Sequence, residues 1–491
     1  MANVAVIRSE SWLGPALAVV LGVTALRIAL MAFNRTDLFV DEAQYWLWGQ
    51  SLEWGYYSKP PLIGWVIRLS TDLAGSDAPF FVRLPAPLLH AAMALILGWI
   101  AAQRSGGQAA IWIAGLYVTM PAVSVGSYMI STDTVMFPFL GVALGLWLTA
   151  LDRHGAGAPA LGWAAAAGAA TGLGFLAKYA AFYFPLVAAL GALFMARGRP
   201  GWRAGGAALI AFFVVISPNL IWNATNGGAT VQHTLDNADW VRDPGTRAGL
   251  NVNTFAAFFF AQFAVFGPIL FAALLWLGLR GGAGDPERRL LLWYSLPILA
   301  TVCIQAFLSE AYANWAVAAY IAGILAVVPW LLTKPRIWLW ATAALHGALA
   351  LAIPLLTAFG TSLRAGPDTA LILERYLGRS EMSRQILALA ADEGGAVVAN
   401  DRDVLADLFY TGRGSEIEIW AAPRAGRPPN HYVQRHAFDG SGTGAILYVS
   451  RRPPPPACDA GDPVATFAPA DGAYRERPQS AWRVPRDCLM P

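Results

Sequence analysis

The chain has 491 residues, 56% of them hydrophobic and 13% charged, with a net charge of +3. A soluble globular domain carries about 25% charged residues, so this composition excludes a wholly water-soluble protein. The small net charge gives no ground for nucleic-acid binding. What informs is where Lys and Arg fall between the apolar runs, because that bias sets membrane orientation.

A membrane crossing takes about 20 apolar residues. Such runs lie near residues 12–33, 81–103, 108–127, 134–151, 160–177, 179–196, 205–222, 253–279, 290–308, 315–333 and 337–358, which predicts about eleven transmembrane helices. The first is long enough to span and has no convincing small-residue cleavage site, so it reads as a retained anchor. With the N-terminus inside, alternate loops collect Arg104, Arg153, Arg197, Arg199, Arg203, Arg280, Arg288, Arg289, Lys334 and Arg336. The opposite loops hold chiefly Arg35, Lys59, Arg68, Arg242 and Arg247. The positive-inside rule therefore puts the second set outside, and an odd number of spans puts the C-terminus there too.

The long polar connections, residues 34–80, 223–252 and the tail from 361, then share the outer side. Functional residues concentrate on such loops. In the first, 43–52 and 61–73 read as two short helices lying in the interface. In the tail, 368–377, 381–391 and 404–410 read as helices, and 396–399, 417–420 and 445–449 as short strands. The expected fold is an all-α polytopic membrane domain over 1–360 followed by a small α/β domain over 361–491, with the RPPPPA stretch at 452–457 stiff and extended.

Asp41 and Glu42 follow the first span and begin a short helix, where they read either as an Asp cap with a solvated Glu beside it or as a catalytic carboxylate pair. The segment YYSKPPL follows at 56–62, so an acidic pair and Lys59 share one loop.

The segments VDEAQYW (40–46) and YSKPPL (57–62) resemble the first outer loop of the superfamily of bacterial protein O-mannosyltransferases and lipid A aminoarabinose transferases, enzymes of the GT-C class. The likeness continues in family order through STDT (131–134), AKYA (177–180), SPNLIWN (217–223) and ANWA (313–316). It implies a GT-C glycosyltransferase in the inner membrane, a polyprenyl-phosphate sugar donor, an acidic catalytic residue in the first outer loop and an active site on the periplasmic face. The likeness to the aminoarabinose branch includes an outer tail domain, which favours an envelope lipid or glycan of the lipopolysaccharide type over a protein as acceptor.

The chemistry of the residues agrees. A sugar on polyprenyl phosphate leaves with a phosphate monoester, whose second pKa is about 6, so the leaving group needs charge stabilisation more than a proton. The acceptor hydroxyl needs a base, and Asp41 is the expected one, with Glu42 positioning it. Lys59 and Lys178 can meet the donor phosphate; alternatively Lys59 snorkels beside Tyr56 and Tyr57, and Lys178 marks a tight hairpin. Tyr57 is expected at the substrate. Asp133 is either a helix cap or a second carboxylate facing Asp41. His233 in the second long loop, which also holds Trp240, and Glu310 and Asn314 in a short outer turn beside Trp315 are further substrate-binding candidates. Asn400, Asp401 and Arg402, like Ser383 and Arg384, can bind an anionic acceptor. No His and Cys cluster has metal-ligand spacing, so no obligatory cofactor is expected, though a divalent cation held by Glu42 fits the pattern. Cys303 reads as a small hydrophobe. Cys458 and Cys488, in a Pro-rich stretch with little expected secondary structure, are expected to form a disulfide outside the cytoplasm. Protein O-glycosylation, a flippase of lipid-linked sugars and a non-catalytic assembly subunit are the alternatives.

Overall fold

The computed structural model describes residues 11–237, 250–364, 366, 369–393 and 395–490. Six helices among them are long and apolar enough to cross a membrane: Leu13–Met31, Pro79–Ser105, Thr132–Gly155, Trp202–Thr225, Pro286–Leu308 and Ile337–Ala358. Each coincides with an expected span. At 1.5 Å per residue they reach about 28 to 40 Å, the scale of a bilayer's hydrocarbon core.

The other expected spans differ. The run over 253–279 is a broken pair, Val252–Val265 and Pro268–Leu279, bent by 115°. Gly267 at the break has φ of +93°, and a Cβ there would lie 2.1 Å from His346 Nε2. Pro268 then starts the next helix at a position where no backbone N–H is required. Apolar composition is blind to this, because both halves are equally hydrophobic. The run over 108–127 likewise divides into Gly107–Thr119 and Pro121–Gly126. Leu161–Ala177, Tyr179–Phe194 and Ala319–Leu331 are apolar helices of less than full spanning length.

The chain divides into two compact units. One gathers Met1–Ala29, Lys59–Ile63 and Arg83–Ile353; the other gathers Leu30–Ser58, Gly64–Val82 and Pro354–Pro491. Thus most of the first polar loop belongs with the tail.

The second unit is built on a five-stranded sheet, β1 (Ala396–Ala399), β2 (Glu418–Ala421), β3 (Ile446–Ser450), β4 (Ala465–Phe467) and β5 (Gln479–Val484), in the order β2-β1-β3-β5-β4. β1 pairs in parallel with β2 and β3, while β5 runs antiparallel to β3 and β4. One core cluster comprises Ala396, Val398, Phe438, Ile446, Tyr448, Cys458, Trp482 and Val484 among others. Cys458 and Cys488 are bonded to each other, with their Cα atoms 4.8 Å apart.

The Pro-rich stretch between those cysteines holds β4 and β5; β5 buries Gln479 along with Ala481, Trp482 and Val484, so polarity did not mark its inner face. In place of the helix expected over 368–377, the described residues hold one 3-10 turn, Glu374–Tyr376, after a bridge from Arg364 to Leu371.

The first-loop helix Val40–Gln50 packs along the tail helix Arg402–Thr411, with Trp46 edge-on to Tyr410 at 5.1 Å. Trp46 Nε1 donates to Asp77 Oδ1 (2.8 Å), and the Tyr410 hydroxyl donates to the Asp77 carbonyl (2.6 Å). Helix Leu62–Ala74 crosses Val40–Gln50 where Gly49 meets Gly64: a Cβ on Gly49 would lie 2.9 Å from the Gly64 carbonyl oxygen. Only glycine permits that approach. Ahead of Val40–Gln50, Asp37 accepts from the Arg379 backbone N–H (2.9 Å) and the Ser380 hydroxyl (2.6 Å) at the start of helix Arg379–Asp392. The same Arg379 holds Asp407 at 3.1 Å, both almost fully buried, and the Tyr474 hydroxyl closes the set on Asp407.

Candidate active site

In the second unit, the roles at the start of Val40–Gln50 are the reverse of the capped reading. The buried residue is Glu42, whose Oε2 accepts from the Phe39 backbone N–H at 3.0 Å and so closes the helix N-terminus. Asp41 caps nothing. Its carboxylate, about half exposed, accepts at Oδ1 from Arg402 Nη2 at 2.6 Å. Arg402 Nε donates to Gln44 Oε1 at 3.1 Å, one helical turn along from Asp41. Two helices packed side by side therefore present Asp41 and Arg402 from their first turns. The pairing was not legible in the sequence, since 361 positions separate the two; the only signal was that both lie beside predicted helix starts.

Tyr57 is buried, and its hydroxyl donates to the Pro428 carbonyl at 3.0 Å, tying the first loop to the segment after β2. Tyr56, stacked on Trp48 at 4.8 Å, donates to the Trp48 carbonyl, and burial pushes its hydroxyl up to about 12.

In the first unit, Asp133, Lys178 and Asn314 meet. Lys178 Nζ lies 2.8 Å from both oxygens of Asp133, and Asn314 Nδ2 donates to Asp133 Oδ2 at 2.9 Å. Asp133 is not the cap of its helix: Ser131 is, accepting from the Thr134 N–H, while Asp133 occupies the first turn with its side chain about 10% exposed. Lys178 ends helix Leu161–Ala177 in an extended conformation. It is held there by Tyr179, whose hydroxyl donates to Asn219 Oδ1 (2.9 Å) and accepts from Asn223 Nδ2 (3.1 Å). Asn219 and Asn223 are buried one turn apart in Trp202–Thr225. The AKYA, STDT, SPNLIWN and ANWA segments are thus parts of one polar cluster.

Lys59 is half-buried in the first unit. Glu310 is exposed, and its backbone carbonyl accepts from Gln305 Nε2. His233 is half-buried on helix Ala229–Asn237. Trp240, Arg242 and Arg247 lie outside the described residues. Among the described residues no group of three or more His, Cys, Asp or Glu could hold a metal ion.

A carboxylate on an exposed helix start can accept a proton, and lysines at the ends of apolar helices can meet a phosphate. The comparisons with known proteins define the class. Residues 58–222 match the family described as dolichyl-phosphate-mannose-protein mannosyltransferase. The lipid A galacturonosyltransferase RgtD of Rhizobium johnstonii is 37% identical over 478 residues, covering 97% of this chain and 99% of that protein. The lipopolysaccharide core galacturonosyltransferase RgtB of the same organism is 28% identical over 312 residues, 60% of each chain. The crystal structure of ArnT from Cupriavidus metallidurans bound to undecaprenyl phosphate shares the fold with a TM-score of 0.61 at 14% identity, covering 98% of this chain and 99% of that one. A polytopic helical protein with this tail and these relatives is a membrane glycosyltransferase. The chain belongs to the GT-C glycosyltransferase family, together with the galacturonosyltransferase RgtD.

Proposed function

We propose that this enzyme transfers a galacturonosyl group from a polyprenyl-phosphate carrier to a hydroxyl of lipid A or a closely related lipopolysaccharide component, at the periplasmic face of the inner membrane. The observation that carries the reading is the 37% identity to a lipid A galacturonosyltransferase along nearly the whole of both chains. The ArnT fold, known with undecaprenyl phosphate bound, supports a polyprenyl-phosphate carrier. The distribution of Lys and Arg supports a periplasmic tail and first loop.

In the reaction, the acceptor oxygen bonds to the anomeric carbon while the bond from that carbon to the phosphate oxygen breaks, and the electron pair leaves with the phosphate. Asp41 takes the hydroxyl proton. Lys59 and Lys178 supply positive charge for the departing phosphate, Asp133 and Asn314 hold Lys178 in place, and Glu42 and Tyr57 fix the loop that carries Asp41. His233 and Glu310 contact the substrate. The two cysteines brace the tail.

The test is an assay with the purified chain, galacturonosyl polyprenyl phosphate and a lipid A acceptor. Transfer by the wild-type protein that falls at least about 100-fold in Asp41→Asn, with unchanged thermal unfolding, is expected from removal of a general base. Near-normal turnover in a folded Asp41→Asn protein would remove Asp41 from the mechanism.

A further inference from the structure

The guanidinium of Arg402 is built into its place. Asp401, just before it, caps helix Arg402–Thr411 by accepting from the Asp403 N–H (2.9 Å), and Arg451 Nε lies 3.6 Å from the other oxygen of Asp401. Asn400 Oδ1 accepts from Arg424 Nη2 (2.8 Å), and the Asn400 backbone N–H donates to the Val449 carbonyl. The Asn400, Asp401, Arg402 turn therefore lies at the carboxyl ends of β1 and β3. From β1 the chain turns toward β2 on one side, and from β3 it continues to β4 and β5 on the other. Such a divergence is the position at which open α/β sheets take ligands. Arg424, Arg427, Arg451 and Arg452 are exposed around this turn.

Arg402 differs from those four in facing the proposed base. It spends Nε on Gln44 and Nη2 on Asp41, and its Nη1 makes no hydrogen bond among the described residues. A neutral sugar offers this guanidinium no partner of its own, and its only contact with the base is to Oδ1 of Asp41. A sugar acid does offer a partner. A carboxylate beside Asp41 would repel it by roughly 4 kcal/mol at close range in a partly solvated site, and a guanidinium fork matches a carboxylate in geometry as well as charge.

We propose that Arg402 recognises the carboxylate of the transferred uronosyl group: the donor carboxylate takes over the guanidinium fork now bonded to Asp41, and Asp41 is released to accept the hydroxyl proton. This rests on the galacturonosyl donor proposed above. The carboxylate stands on the same six-membered ring as the reacting carbon, so one pair of adjacent side chains serves both.

The experiment compares galacturonosyl and galactosyl polyprenyl phosphates, which differ only at C6, with the purified full-length wild-type, Arg402→Gln and Arg402→Lys proteins. Each is assayed on phosphorylated and dephosphorylated lipid A acceptors. For wild type, kcat/KM favours the galacturonosyl donor. In Arg402→Gln the ratio between the two donors falls about 10- to 100-fold, the size of one hydrogen bond to a charged group, and mainly through KM. Arg402→Lys restores part of the ratio because charge is kept and the fork is lost; if the Gln variant does not fold, a several-fold loss of the ratio in the Lys variant decides alone. An equal fall for both donors means that Arg402 only holds Asp41 and overturns the inference. So does an unchanged donor ratio with altered preference between the two acceptors, which would assign the arginine to an acceptor phosphate. A wild-type enzyme that transfers galactosyl but not galacturonosyl groups overturns the proposed donor itself, an outcome distinct from either of these.

Discussion

Lys178 sets its Nζ 2.8 Å from each oxygen of Asp133, and Asn314 donates to the second of those oxygens at 2.9 Å. Both charged side chains are mostly buried, at 17% and 10% exposure. A pair of this kind gains little over an apolar replacement, but loss of one partner strands the other charge. The single changes Asp133→Asn and Lys178→Met should each destabilise the protein, by about 3 kcal/mol, and lower transfer. The double variant should recover much of the stability, with a coupling of about 1 to 3 kcal/mol in a double-mutant cycle read by thermal unfolding. Additive effects would show that the two residues act apart. Transfer should not recover in the double variant, because the cation for the donor phosphate is still missing.

Lys59 is the second proposed phosphate ligand. Lys59→Ala should raise KM for the polyprenyl-phosphate donor or lower kcat, and Lys59→Arg should rescue partly, since the charge persists on a differently shaped group. Acceptor KM should not move. Steady-state kinetics with each substrate varied in turn checks this, and wild-type behaviour of Lys59→Ala would leave the residue with only an interfacial, snorkelling role.

These residues also show what the sequence could and could not convey. The apolar runs are legible because burial in lipid is a composition effect; β1 and β3 are legible within a residue because fully buried strands are short, apolar and bounded by turns, and half-buried β2 because its Ile419, Trp420 and Ala421 form a short apolar run. Asp133, Lys178 and Asn314 each stand out in the sequence, yet their meeting depends on three helix ends and cannot be read from any one of them. For Asp41 and Glu42, identity and position were clear, but which carboxylate turns back to the helix and which faces Arg402 is a matter of side-chain direction. The break at Gly267 escaped because hydropathy averages across it, and β5 escaped because Gln479 sits among its buried residues.

The bond between Cys458 and Cys488 encloses a separation of 30 residues that includes β4 and β5, and Cys458 is part of the sheet's core cluster. Closing such a loop in the unfolded chain is worth roughly 3 to 4 kcal/mol. Reduction, or the Cys458→Ser and Cys488→Ser pair of changes, should therefore lower the unfolding temperature of the tail without abolishing membrane insertion. Differential alkylation and mass spectrometry of protein purified without reductant should find both positions protected. Two free thiols in that preparation would contradict both the bond and a tail facing the periplasm, since the reducing cytoplasm does not sustain such bonds.

His431 ties the stability of the second unit to pH. It lies almost fully buried at the start of helix His431–Arg435, edge-on to Trp48 at 5.7 Å, and its Nδ1 has no hydrogen-bond partner among the described residues. Burial first, then the nearby His436, Arg435 and Arg402, push its pKa down to about 3 from an ordinary 6.5. A base depressed in the folded state is neutral there while the unfolded chain still takes up a proton. Its contribution is therefore complete above pH 6.5 and is lost as pH falls from 6.5 toward 3. Asp407 works in the opposite sense: burial pushes its carboxyl up to about 7 against the pull of Arg379, so its contribution is lost as pH rises from about 4 to 7. The two can be separated by substitution. In His431→Gln the unfolding temperature should fall less steeply between pH 6.5 and 4.5 than in wild type, whereas Asp407→Asn, which removes a contribution that grows on acidification, should make that fall steeper. Thermal unfolding of the purified protein across this range makes the comparison, and parallel wild-type and His431→Gln curves would show that the histidine does not set the acid limit.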